Sequence, residues 1–274
     1  MPTDTKRITG PESSQSPYDY CPAPSLDLKN LKGKRHDERS NSQLRPLFLR
    51  AGVVSHARGS GYIEMDQTKV ICAVYGPREV LRREDFSLKG QLTCDFKFTT
   101  FSCRKRRQHQ QDNQEKDLSL QILEALEPAL CLHKYPKSQI NIYITVLQND
   151  GCALSASVIC ASLALASAGI EMYDLVLASS LGVYGSLTLV DPTSLEEETI
   201  LTKAEKSENN AGIVTVAFLP SISQVSAITS DGELQFDAVS KCMHACVENC
   251  QKLYPVLQKA LFDHVKEKKE STHS

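Results

Sequence analysis

Between Ile140 and Ala166 the chain commits to a strand, a tight turn and a helix in direct succession, and this constrains its fold more than any other stretch. Ile140-Asn141-Ile142-Tyr143-Ile144-Thr145-Val146 alternates apolar and polar residues and predicts a strand. Val158-Ile159-Cys160-Ala161-Ser162-Leu163-Ala164-Leu165-Ala166 is small-residued and apolar nearly all round, which predicts a buried helix. Between them lies Leu147-Gln148-Asn149-Asp150-Gly151-Cys152-Ala153-Leu154. A strand, an Asp-Gly turn and a helix N-terminus together make a ready anion site, because free backbone N–H groups and the helix dipole point outward there. A phosphate site adds small residues and a cation. This loop offers Cys152, Ala153 and Leu154, and no Lys or Arg stands anywhere from Ile140 to Leu201. The backbone pattern suits phosphate chemistry and the side chains do not.

A chain of 274 residues, 41% hydrophobic, buries a sizeable core as one large domain or two small ones. Its net charge of −2 excludes a global basic field, so any nucleic-acid surface is local. No segment approaches the roughly 18–20 apolar residues of a membrane span, and Met1 to Arg7 lacks the apolar core of a signal peptide. The ten cysteines are scattered within apolar runs such as Ile71-Cys72-Ala73, which reads as reduced thiols of a nuclear or cytosolic protein. Cys242, Cys246 and Cys250, with His244 among them, offer either a metal site or a helix face of small hydrophobes. The missing distant ligand pair favours the helix face.

Residues 1–34 lack periodicity and read as a flexible N-terminal tail; residues 266–274 read as a polar C-terminal tail. In between, strands are expected at 53–56, 61–65, 69–77, 91–98, 140–146, 180–184, 186–190, 212–218 and 224–229. Helices are expected at 117–126, where Leu118, Ile122, Ala125 and Leu126 share a face ahead of Pro128, at 156–168 and at 236–264. Glu196-Glu197-Glu198 reads as an acidic loop and Ser230-Asp231-Gly232 as a turn. Strands and helices alternate in two similar halves, about 35–171 and 172–265, which predicts an α+β or α/β class with mixed sheets.

The order Arg45-Pro46, Ala57-Arg58-Gly59-Ser60, Thr68-Lys69-Val70 and Gly76-Pro77, then Asp117-Leu118-Ser119, then Asn149-Asp150-Gly151 with Ser155-Ala156-Ser157, resembles the RNase PH-type phosphorolytic exoribonucleases. The resemblance runs from about residue 35 to 265. It implies the α+β RNase PH-like fold, with ribosomal-protein-like βαβ units. Active members cleave RNA from the 3′ end by attack of phosphate, which needs cations or N–H groups for the phosphate and carboxylates for a divalent metal. Where they read Gly-Thr-Arg after Asp-Gly, this chain has Cys152, Ala153 and Leu154. An Arg expected ahead of the helix at 117–126 falls near Gln114, with Lys116 the nearby cation, and a metal-binding acid falls at Gly212. Glu196 to Glu198 offer an upstream acid without clear register.

These departures imply a member without catalytic residues, resident metal or cofactor. They point to a ring subunit of the RNA exosome, in which six RNase PH-like proteins surround an RNA channel; the alternative is an active phosphorolytic 3′-to-5′ exoribonuclease. The resemblance implies other RNase PH-like ring subunits, cap subunits and single-stranded RNA as partners, no membrane, roles in rRNA maturation and mRNA turnover, and a location in nucleus, nucleolus and cytoplasm. The ring edges are expected to draw on the strand with Cys94, Phe96 and Phe98 and on the apolar helix 156–168. Arg104-Lys105-Arg106-Arg107 is the candidate RNA-binding run, with a nuclear-import signal or a plain solvated loop as its other readings. Arg82-Arg83 and Arg58 are weaker cationic candidates, Arg58 reading as a structural donor. Asp95 and Asp150 read as an exposed strand residue and a turn residue.

Overall fold

The computed structural model describes residue 35 and residues 37–80, 87–205 and 210–273. The expected tail 1–34 and the pair Arg82-Arg83 lie outside these residues. The first sheet comprises β1 (Leu47–Ala51), β2 (Gly59–Met65), β3 (Thr68–Glu79), β4 (Gln91–Phe98) and β5 (Ser138–Gln148), in the spatial order β1-β2-β3-β5-β4. All pairs are antiparallel except β4 with β5, which the crossover helix α1 (Asn113–Leu126) makes parallel. The second sheet comprises β6 (Leu177–Tyr184), β7 (Leu187–Val190), β8 (Ala211–Leu219) and β9 (Gln224–Glu233), antiparallel throughout in the order β7-β6-β8-β9.

The helix α2 (Ala153–Ser167) lies between the two sheets, touching β2 and β3 of one and β6 and β8 of the other. Every residue from Ser155 to Leu165 is buried, which is why the segment is apolar all round. Small residues bring the layers close. A Cβ on Gly59 would stand 2.3 Å from the Ala164 carbonyl oxygen, and one on Gly61 2.7 Å from that of Cys160. Around α2 a continuous core gathers Ile63, Val70, Ile144, Ile159, Leu163 and Leu177 from both halves of the chain. Two further α-helices lie among the described residues: α3 (Ser194–Glu205) against β8, and α4 (Phe236–His273) across β6, β8 and β1. Cys242, Cys246 and Cys250 form the inward stripe of α4, and the Cys246 thiol donates to the Ser179 carbonyl at 3.4 Å.

Several expectations are corrected. The strand expected at 53–56 is a loop, because Gly52 turns the chain at φ +75° and Ser60 Oγ accepts the Val54 N–H; the strand lies earlier, as β1. Glu196–Glu198 belong to α3, whose start carries a signal legible in the sequence: Thr193 is followed three residues on by Glu196, which accepts the Thr193 N–H at 2.9 Å. Ser230-Asp231-Gly232 continues β9, with Asp231 opposite Ile213. The C-terminal helix runs on through Lys266–Glu270. Of the expected interface elements, α2 is buried, whereas β4 is an edge strand that buries Phe96 and Phe98, half-buries Cys94 and exposes Thr93 and Asp95. The exposed large apolar side chains are elsewhere, among them Phe48, Tyr143, Phe236, Phe262 and Val265.

Candidate functional site

The N-terminus of α2 opens onto a cleft of about 350 Å³. Its walls are Phe98 of β4, Gln114, Asp117 and Gln121 of α1, Ile213 and Thr215 of β8, Asp231 of β9, and Glu197 and Leu201 of α3. Cys152, Ala153 and Leu154 form its floor. The loop beneath is rigidly held. Gly151 lies at φ +87°, and a Cβ there would fall 2.5 Å from the Pro192 carbonyl oxygen. Cys152 follows in the left-handed region at φ 54°, an uncommon conformation for a residue with a side chain. Thr68 Oγ1 donates to the Gly151 carbonyl at 2.9 Å and accepts the Asp150 N–H at 3.1 Å.

Behind the loop, Arg45 is buried against Asp191 in a two-pronged ion pair, Nε–Oδ2 2.8 Å and Nη2–Oδ1 2.6 Å. Its Nη1 also donates to the Asp150 carbonyl at 2.9 Å. Burial opposes charge on Asp191, but the Arg45 guanidinium prevails and holds that carboxyl below its ordinary range. Arg35 pairs with Glu196 in the same fashion, Nε–Oε1 2.9 Å, both side chains buried. Arg45 and Arg35 are therefore each paired with a buried carboxylate and do not line the cleft.

One N–H at the start of α2, that of the N-cap residue Cys152, is bonded from within the chain. Glu197 Oε1 accepts the Cys152 N–H at 2.7 Å. Burial, set against that N–H bond and the field of Arg45, pushes the Glu197 carboxyl up to about 7. The three acids of the expected loop thus have separate fates: Glu196 is an ion-pair partner, Glu197 caps α2, and Glu198 is exposed. Burial and the carboxylates of Asp191 and Glu197 raise the Cys152 thiol well above the usual range, which disfavours the nucleophilic thiolate. Leu154 presents hydrocarbon to the cleft.

The β8 register corrects one assignment. Successive residues of a strand face opposite sides, and Ile213 and Thr215 line the cleft, whereas Gly212 faces Leu234 on the other side. The cleft-facing position is apolar Ile213. Gln114 does line the cleft, and Lys116 is not among the lining residues.

The basic run divides. Arg104, Lys105 and Arg106 are exposed, whereas Arg107 folds into the cleft with its guanidinium 4.2 Å from the Phe98 ring centroid. Its Nη2 donates to Gln114 Oε1 at 2.9 Å. Arg107 is the one cation among the described residues lining the cleft, beside the carboxylates of Asp117, Asp231 and Glu197. The aromatic partner, Phe98, comes from a strand nine residues earlier in sequence, so the run itself carries no sign of it. Arg58 donates to the Ala168 carbonyl at 3.1 Å. Asp95 is exposed and accepts from Gln111, and Asp150 lies beside Arg45.

Comparison with known proteins places these features. A family model described as the 3′ exoribonuclease family, RNase PH domain 1, matches residues 43–171. The chain is 39% identical over 282 residues to the mouse exosome complex component MTR3, covering 95% of each chain. It is equally 39% identical to the human exosome complex component MTR3 over 277 residues, again 95% of each. In three dimensions it is similar to a chain of the Archaeoglobus fulgidus exosome with RNA bound to the active site, with TM-score 0.68 and 18% identity, covering 81% of this chain and 92% of that one.

Proposed function

The chain belongs to the RNase PH family, and from that premise we propose that it is an MTR3-like structural subunit of the RNA exosome ring, without phosphorolytic activity of its own. The observation that carries the second part is the Glu197–Cys152 contact: a carboxyl group already takes the N-cap N–H and sets an acidic group at the helix N-terminus where an attacking phosphate would have to bind. Leu154 and Ile213 support it, since neither side chain holds an anion or a metal. Arg107 alone cannot replace such a clamp, being stacked on Phe98 and bonded to Gln114.

In this role the chain assembles with other RNase PH-like ring subunits and with cap subunits, and helps thread single-stranded RNA for 3′-to-5′ processing and degradation in nucleus, nucleolus and cytoplasm. Exposed Arg104, Lys105 and Arg106 supply a sequence-independent RNA contact, and exposed apolar residues such as Phe48 and Phe262 supply ring edges. No helix among the described residues is long and apolar enough to cross a membrane.

The test incubates the purified chain with single-stranded RNA, phosphate and magnesium or manganese. The expected result is no nucleoside diphosphate. Phosphate-dependent release of nucleoside diphosphates, abolished by Asp117→Ala or Asp231→Ala, would establish the active exoribonuclease instead.

A further inference from the structure

A second cavity, of about 380 Å³, lies at the opposite end of α2, between the loop joining β1 to β2 and the last turns of α4. Arg58, His264 and Lys268 line it, together with the hydroxyl groups of Ser55 and Ser167. The Arg58 Nε donates to the Ala168 carbonyl at 3.1 Å, which fixes the guanidinium plane and covers a carbonyl at the C-terminal end of α2. Arg58 forms no ion pair among the described residues, although Glu267 lines the same cavity. The His264 ring is 9% exposed; it is pressed against Gly52, where a Cβ would fall 2.2 Å from its Cε1, and its Nε2 lies 3.1 Å from Ser167 Oγ. Its Nδ1 is pressed against the same glycine, 2.7 Å from the place of that Cβ.

We propose that this cavity is an oxyanion site for a phosphate ester, seated between Arg58 and Lys268 with the His264 ring in its wall. Cationic donors on two different elements converge there, and the volume accommodates a phosphate with a sugar attached. The hydroxyl groups add neutral donors. Glu267 and the carbonyl dipoles of the α2 terminus oppose an anion, so a fully bonded guanidinium is needed to outweigh them. The titratable and charged neighbours of His264 are Asp263, Glu267 and Lys268 on α4, Arg58 on the loop and Arg50 on β1; α2 brings only the Ser167 hydroxyl. Burial and Lys268 hold the imidazole below its usual range, with Glu267 acting in the opposite sense. A bound anion reverses this balance by favouring the imidazolium, so occupancy and protonation of His264 reinforce each other. The site stands apart from the cleft and does not depend on ring membership.

The experiment follows the His264 imidazole by NMR in the full chain, labelled at histidine, on addition of inorganic phosphate, a nucleoside monophosphate or a short single-stranded oligoribonucleotide. A saturable His264 shift is expected, together with a rise in its titration midpoint. Lys268→Ala and Arg58→Gln are each expected to weaken binding about tenfold, the effect of removing one charge-assisted hydrogen bond, and Glu267→Gln to strengthen it. Lys268 is exposed, so its variant keeps the fold even if Arg58→Gln does not. Response to the monophosphate alone identifies a small phosphate ester as the ligand; response to the oligonucleotide as well identifies an RNA backbone phosphate. No saturable shift in any arm, or shifts unchanged in Lys268→Ala, overturns the site.

Discussion

Glu197 Oε1 lies 2.7 Å from the backbone nitrogen of Cys152, so an N–H at the N-terminus of α2 is already bonded to a carboxylate from α3. That bond sets a carboxyl group against the start of the helix and gives the molecule a pH response near neutrality.

Glu197 titrates near 7 in the folded chain against an ordinary 4.5. A carboxyl raised on folding disfavours the charged form, so stability falls as pH rises from the lower value through the upper one and the penalty is complete above it. Glu197→Gln removes the charge and keeps an acceptor for Cys152. It is expected to leave stability unchanged at acid pH and to stabilise by about 1–2 kcal/mol at pH near 8, discounted for the open cleft. Thermal melts of both proteins across pH check this; equal pH profiles contradict it.

Asp191 behaves in the opposite way. Its folded carboxyl is lowered, so the Arg45 pair stabilises the molecule above the ordinary carboxylate range and loses that contribution as acid protonates it. Asp191→Asn strands a buried guanidinium and is expected to cost about 3–5 kcal/mol in urea unfolding at neutral pH. The variant and the wild type converge in acid.

Adding one cation to the cleft is not expected to produce catalysis. Leu154→Arg places a positive charge at the mouth of α2, where Glu197 neutralises it, and Ile213 still offers no metal ligand. No phosphate-dependent nucleoside diphosphate is expected from Leu154→Arg under any divalent ion. Its appearance would show that the anion clamp alone had been missing.

The basic run is expected to respond in two parts. Replacing Arg104, Lys105 and Arg106 with Ser lowers RNA capture by the assembled complex and reduces the salt slope by about 0.7 for each phosphate no longer neutralised. Arg107→Ser acts on the Phe98 ring and the Gln114 hydrogen bond instead, lowering thermal stability with a smaller effect on the slope. Unchanged affinity with altered cellular location assigns the exposed part to nuclear import.

The strands and the buried helix are legible because their signals are local: alternation over 140–146 and 91–98, and a featureless apolar surface over 156–166. Helix α3 escapes such reading although Thr193 and Glu196 spell its start, because three consecutive acids obscure the periodicity. The absence of a cation from Cys152-Ala153-Leu154 is legible in the sequence. The acidic neighbour of that loop is not, since Glu197 stands 45 residues from Cys152 and meets it only through tertiary packing. The assignment to Gly212 fails on strand phase, which a single residue inverts. Helix 156–168 is covered by its own chain rather than a partner, because an apolar surface marks burial without saying whether the cover is the same chain or another.

The close approach of Gly59 and Gly61 to α2 has a consequence of its own. The helix is anchored from Cys160 to Ala168 by backbone contact with β2, a full two turns from the loop that faces the cleft. Mechanical support and chemistry thus reside at opposite ends of one rod. Side chains at the cleft end can be exchanged without disturbing the grip at the other, so a scaffold of this kind can shed a reaction and still hold its shape as a building block.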